Sequence, residues 1–345
     1  MSDTRWNRTQ GRRLAPGLLS LVLALPAAAA ETWIVPLLPA ATTSVAAPPP
    51  ASARRGARPA KPAPAPSFPF PVAVAGESSV VELTTGDRYP EPGTAVSPER
   101  IDRSFVRLGD GRPMPLTGAK ADGARTRLEA TWVGQGLATL AVLLQPEART
   151  AEAAEFEAIL SEAGAAEAAA LRAKKKETKK PARLVAVESA RAFAGVAAPP
   201  RSVVTADPAE GRDEPLGLPL EIVLGAPPLP LRAGTSLPAT VLLDGRPLPG
   251  ALVRAYAAGA PAASLTADAQ GAVSIPLERE GRVLLASASV RRTEKADRAR
   301  GETWKKADWE VRRTSLDLLV LPKAAPASPP APTPTPKPKG KPKPR

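Results

Sequence analysis

The chain has 345 residues, a formal charge of +13, and neither cysteine nor histidine. Without thiols there are no disulfides, cysteine nucleophiles or Cys-based zinc and iron–sulfur sites, and without imidazole Ser–His–Asp, Cys–His and HExxH chemistries are excluded. An enzyme built from this sequence would have to work with carboxylates, Lys, Tyr or a Ser–Lys pair.

The positive charge is localised. It gathers in residues 1–30 (Arg5, Arg8, Arg12, Arg13), in 51–61 (Arg54, Arg55, Arg58, Lys61), in 172–183 around Lys174–Lys180, and in the tail from Lys323 to Arg345. These segments together carry more than the net charge of the whole chain, so the remainder is mildly acidic. A basic groove for nucleic acid is not expected. Aromatic residues make up only 3%, so the core must be built from Leu, Val and Ala.

Residues 1–30 read as a secretory signal: a basic start ending in Arg12-Arg13, the apolar run Leu18–Leu25, then Pro26 and small residues. Ala28 and Ala30 suit a signal peptidase, which places cleavage between Ala30 and Glu31 and the mature chain in the periplasm or outside the cell. The apolar run is shorter than the ~20 residues that span a bilayer, and no later segment is long and apolar enough to do so.

Residues 31–37 (ETWIVPL) form a first strand, and 38–67 are a Pro/Ala-rich linker or insertion. A β-rich N-terminal domain is expected over 68–195. Its strands fall at 71–75, 79–85, Arg103–Leu108, Arg125–Trp132 and Gly136–Leu144, the last apolar almost throughout. The pattern then turns helical over 150–193. Thr150 is the expected N-cap, Phe156, Ile159 and Leu160 share one face, Gly164 divides the segment, and Arg183–Phe193 resumes it.

Residues 196–215 read as a second linker, and 216–321 as an immunoglobulin-like β-sandwich. Its strands are expected at Leu220–Leu224, Ala239–Leu243, Ala251–Ala258, Ala263–Thr266, Ala272–Leu277, Arg282–Ser289 and Ser315–Leu321. Asp244-Gly245 is a tight-turn signal, and the runs either side of it read as one hairpin. The basic tail 322–345 has polyproline composition and no apolar period, so it is expected to be disordered. The fold class is therefore mainly β: two β-sandwiches, the first with a helical segment.

Several stretches occur in an order that resembles a family of bacterial exported proteins once labelled as nickel-uptake components. They are ETWIVP, GESSVVELTTGDRYPEPG, EFEAILSEAG, EPLGLPLEIVLG, LPATVLLDGRPLPGALVRAY, LTADAQGAVSIPL and ADWE. The resemblance implies two β-sandwich domains in the periplasm, the second similar to carboxypeptidase regulatory-like domains, and a link to nickel or cobalt uptake. Such proteins often carry histidine near the mature N-terminus. Here that position is Glu31, and the imidazole and thiolate ligands that nickel or copper prefer are missing.

Asp87 and Glu91 flank Arg88 and Tyr89 but fall short of the six to eight oxygens a Ca²⁺ ion takes, so a polar turn is the expectation. Asp308 and Glu310 alternate around Trp309 and would share one face of a strand, as glycosidase carboxylates can, with nothing nearby that marks a sugar cleft. Trp33, Trp132 and Trp309 are expected in the core and Trp304 exposed; the Lys174–Lys180 run is expected to be solvated. No catalytic residue, cofactor or metal-ligand set is assigned. The function read from the sequence is a non-catalytic exported binding or accessory protein, tied to nickel or cobalt uptake by resemblance, with a membrane transport system as partner. The alternative is a structural or adhesive envelope protein, held to an anionic envelope polymer by its tail.

Overall fold

The computed structural model describes residues 30–38, 70–199, 207 and 210–323. The expected signal up to residue 29, most of the proline linker and the tail beyond Lys323 lie outside the described residues. Strands β1 (Glu31–Pro36), β2 (Val72–Val74), β3 (Ser78–Gly86), β4 (Thr94–Ala95) and β5 (Ile101–Leu108) come first. They are followed by β6 (Met114–Pro115), β7 (Thr117–Asp122), β8 (Arg125–Thr131), β9 (Gly136–Leu144) and β10 (Glu147–Ala151). Helices α1 (Ala153–Glu162) and α2 (Ala166–Lys174) lead to the long strand β11 (Ala182–Ala197). Next come β12 (Leu220–Leu224), β13 (Leu231–Arg232), β14 (Thr235–Leu243), β15 (Arg246–Pro247), β16 (Leu252–Ala257) and β17 (Ala263–Thr266). Strands β18 (Ala272–Leu277) and β19 (Gly281–Arg292), the short helix α3 (Glu302–Lys305) and β20 (Trp309–Leu321) complete the order.

The architecture is mainly β, as the sequence implies. A five-stranded sheet (β1-β3-β8-β7, with β4 beside β3) and a four-stranded sheet (β12-β14-β15, with β18 beside β14) both face one long sheet. That sheet runs β17-β16-β19-β20-β11-β9-β5-β6 without a break, and β20 and β11 meet in its middle as a parallel pair, from Leu184 opposite Trp309 to Ala192 opposite Asp317. The two sandwiches therefore share a sheet.

Period-2 alternation fills both cores. In the C-terminal core Leu220, Ile222 and Leu224 of β12, Leu237, Ala239 and Val241 of β14, and Val273, Ile275 and Leu277 of β18 meet Val283, Leu285, Leu316, Leu318 and Val320. In the N-terminal core Ile34, Val81, Leu83, Leu128 and Ala130 meet Leu140, Val142 and the small residues Ala190, Ala192 and Ala194 of β11. A third cluster sets Phe156, Ile159 and Leu160 of α1 against Leu184, Trp309 and Val311.

Three expectations are corrected. The segment Arg183–Phe193 is strand, not helix: β11 is buried along almost its whole length, so it shows no polar alternation, and its alanines read as helix formers. Helix α1 begins after Glu152, with Thr150 still in β10. The runs either side of Asp244-Gly245 do not pair with each other. The turn is as expected, with φ of 49° and 74°, but it joins β14 only to the short β15. The next run, β16, crosses to the long sheet and pairs with β17 and β19.

The stretch read as the second linker holds a buried charge. Asp213 pairs with Arg191 of β11, both side chains fully buried, and accepts a hydrogen bond from the Leu224 amide at 2.9 Å. Arg191 also donates to the Ile222 carbonyl at 2.9 Å, which joins β11 to β12. Truncating one partner strands a buried charge. Asp213→Ala is expected to cost about 3–5 kcal/mol, measured by denaturant unfolding, and a loss under 1 kcal/mol would show that the pair does not hold the sheets together.

Candidate functional site

Tyr89 shows how the GDRYPEPG stretch works. Gly86 and Gly93 let two backbone segments touch: a Cβ on Gly93 would lie 2.9 Å from the Thr85 carbonyl oxygen, and one on Gly86 would lie 3.0 Å from the Trp33 ring. This close approach turns Tyr89 inward. Its ring meets Trp33 edge-on at 5.4 Å, and its hydroxyl donates to Asp317 at 2.7 Å. Burial and the Asp317 carboxylate push the Tyr89 phenol far up. Arg282 closes the other side of Asp317. Asp87 and Glu91 are exposed, as expected of a polar turn.

Arg282 and Asp317 help line a largely apolar cavity of about 360 Å³, walled by Val35, Leu37, Phe70, Phe193 and Leu229 among others. A second cavity, of about 570 Å³, lies where β1 begins, between the five-stranded sheet, β10 and α1. Its lining is charged. Arg100 pairs with Glu147 and Arg149 with Glu155. Glu188 accepts from the Thr32 hydroxyl at 3.0 Å, and Arg313 donates to the Ala30 carbonyl at 3.0 Å. Both expected cleavage residues are here: Ala30 is exposed on the cavity wall, and Glu31 opens β1 opposite Gly86. Thr85 donates to the Glu31 carbonyl at 3.0 Å. Burial pushes the Glu31 carboxyl up to about 7, against the pull of Arg313 and with the help of Glu188 and Glu162.

Asp308 and Glu310 are not brought together as an acid–base pair. Asp308 forms a two-pronged pair with Arg183 at 2.9 and 3.0 Å. Glu310, fully buried, is ringed by Arg291, Arg300 and Arg312. Burial alone would push the Glu310 carboxyl up, but the hydrogen bond from Arg300 and the charges of Arg312 and Arg291 outweigh it and hold it below the usual range. Arg312 reaches on to Asp244 at 2.6 Å, so the hairpin turn is fastened to β20.

Trp33, Trp132 and Trp309 are core residues, as expected. Trp304 is not exposed: it is buried beside Leu143, Val185, Val187 and Leu218, with Arg300 stacked 4.2 Å from its ring. The lysines of the 174–180 run are exposed, while Arg172 before them is buried against Glu157 and the Glu177 and Lys180 carbonyls. Among the described residues, no three Asp or Glu side chains converge in a way that could hold a metal ion, and no helix is long and apolar enough to cross a membrane.

Residues 72–291 match the family described as "Domain of unknown function (DUF4198)", which is more than half of the chain, and the chain belongs to that family. No curated protein matches it. Among solved structures it has a distant likeness to Salmonella alpha-2-macroglobulin reacted with methylamine, at 13% identity and a TM-score of 0.19, over 73% of this chain and 14% of that one. The tetra-tandem repeat in the extending region of a large adhesion protein gives 12% and 0.16, over 71% of this chain and 46% of that one. The D0-D1 domain of intimin gives 7% and 0.16, over 72% and 94%. The chain thus spans under half the length of the first two, and likenesses this weak carry no argument about function.

Two outcomes are expected from these side chains. Tyr89→Phe removes one hydrogen bond to a buried carboxylate and should lower stability by about 1–3 kcal/mol in urea unfolding; an unchanged midpoint would show that Asp317 is satisfied without it. Because Glu310 titrates below its unfolded range, its contribution is present above about pH 4 and lost as the pH falls towards its folded value. Glu310→Gln should therefore be less stable at neutral pH and fall less steeply as the pH drops below about 4. Parallel curves for the two proteins would contradict that sign.

Proposed function

We propose that this chain is a non-catalytic exported binding or accessory protein, working in the periplasm after removal of residues 1–30. The observation that carries this reading is the state of the charged cavity at the start of β1. Its arginines and carboxylates are engaged with one another, with the Thr32 hydroxyl or with the backbone. A charged group held this way shapes a polar surface. A reactive centre would instead need a nucleophile within reach of a base, with an orienting partner. The C-terminal sandwich serves as a scaffold of the carboxypeptidase regulatory-like kind that the sequence resembles.

A link to nickel or cobalt uptake enters through contact with a membrane transport system, because the sequence has no imidazole or thiolate to offer such ions. Calorimetry of the protein beginning at Glu31 should accordingly give no heat above buffer with Ni²⁺ or Co²⁺; stoichiometric heat would overturn the accessory role in favour of direct metal binding.

A second reading rests on the tail, where Lys323, Lys337, Lys339, Lys341, Lys343 and Arg345 stand without an acidic residue. Spaced cations give a weak, screened attraction to an anionic envelope polymer. Deleting 324–345 separates the two. On the accessory reading the truncated protein still fractionates with the membrane, whereas release into the soluble fraction would favour the tail-anchored envelope protein.

A further inference from the structure

Two loops leave the long sheet at the same end. There β19 finishes with Arg292 opposite Trp309, the first residue of β20, and Trp309 also lies opposite Leu184 near the start of β11. Residues 175–181 lead from α2 into β11, and 293–308 join β19 to β20. The two are tied together. The Asp308 amide donates to the Arg183 carbonyl at 2.9 Å, the Thr293 amide donates to the Asp308 carbonyl at 3.0 Å, and Arg292 pairs with Glu177 at 2.8 Å.

This end is where the folded chain gathers its positive charge. Segments 172–183 and 292–308 hold thirteen Lys or Arg against five Asp or Glu, while the other described residues carry more carboxylates than cations. Four of the five acids are already engaged: Glu177 with Arg292, Asp297 with Arg291 and Arg300, Glu302 with Lys305, and Asp308 with Arg183. Lys174, Lys175, Lys176, Lys179 and Lys180 are exposed and form no ion pair with a described residue, and the same holds for Lys295, Arg298 and Lys306 on the second loop.

The lysine loop is built from within. Buried Arg172 donates to the Glu177 carbonyl at 2.7 Å and to the Lys180 carbonyl at 2.9 Å. Lys176 holds a φ of 53°, a left-handed conformation that glycine or asparagine adopts with less strain. One internal arginine thus fixes the turn, and like charges that repel one another are left facing outward.

We propose that this end of the long sheet is a docking face for an anionic phospholipid bilayer. Ammonium groups meet lipid phosphates as point charges, without the planar fork that paired recognition requires. The nearest aromatics, Trp304 and Trp309, are buried, so the face has no stacking platform for single-stranded nucleic acid. The opposite sign of the remaining surface matters as well. An extended negative plane attracts this end and repels the rest, which sets the molecule end-on. Which membrane it meets follows from the export proposed above; the contact itself is measured on purified protein, so either can fail alone.

The test is co-sedimentation of the protein beginning at Glu31, tail included, with vesicles of phosphatidylcholine and phosphatidylglycerol in equal parts, in about 0.1 M salt, where the screening length is roughly 10 Å. Pure phosphatidylcholine vesicles should leave it in solution. Replacing the loop lysines (Lys174→Gln, Lys175→Gln, Lys176→Asn, Lys179→Gln, Lys180→Gln) should weaken binding to the anionic vesicles at least about tenfold, with the Tm unchanged. Lys295→Gln, Arg298→Gln and Lys306→Gln together should weaken it several-fold, because both loops form the face. The tail variant Lys337→Gln, Lys339→Gln, Lys341→Gln, Lys343→Gln should still sediment. Loop variants that bind as tightly as the parent, or a tail variant that loses all binding, would overturn the proposal. So would capture by soluble polyphosphate with no binding to either vesicle, which would assign the face to an anionic polymer instead.

Discussion

The structure depends on one parallel pairing, β11 against β20. β11 supplies residues to all four hydrophobic clusters: Phe193 and Ala197 to the C-terminal core, Ala190 to Val196 in alternation to the N-terminal core, Leu184 to the helical cluster, and Val185 with Val187 to the cluster around Trp304. A strand covered on both faces gains from burial on each side, and its backbone groups have no water to turn to if the ladder opens. Separating β20 from β11 would therefore open the helical cluster and the long sheet together, and each sandwich would lose a wall.

The pair carries charge where apolar residues would have packed more simply. Arg191 with Asp213, Glu310 among three arginines, and Asp317 with Arg282 and Tyr89 are all sited on or against these two strands. Buried ion pairs add little net stability when complete and cost much when broken. Their effect here is on register. A one-residue slip of β20 would turn Glu310 and Asp317 to the opposite face and away from the partners that neutralise them. Ser189 opposite Thr314, joined through their hydroxyls at 3.2 Å, marks the same register in neutral groups.

Short strands were legible from the sequence: β12, β17, β18 and β9 appear with the expected ends, β18 through surviving alternation and β9, buried along its whole length, as a short apolar run. The long central strand was not. ARLVAVESARAFAG has alanines on the face that the N-terminal core needs to be thin, and it is buried on both sides with no regular polar alternation, a pattern shared by a buried helix and a buried strand. Trp304 was misread for a related reason: its charged neighbours Glu302, Lys305 and Lys306 suggested solvent, yet the turn of α3 points the ring inward. Tyr89 had no sequence signal beyond its place between two glycines, and its partner Asp317 is 228 residues away.

The shared sheet also places the charged cavity. Thr32, Glu188 and Arg313 come from three strands, and their spacing is set by how β1 crosses the β11–β20 pair. If the pairing makes the two sandwiches one cooperative body, opening of either must open both. Native-state hydrogen exchange in mild denaturant reads this most directly, with amides of Leu140 and Val142 in β9 reporting on one core and Ala239 and Val241 in β14 on the other. Convergence of all four on a single opening free energy and denaturant slope is the predicted result. Two separate isotherms, one for each core, would contradict it.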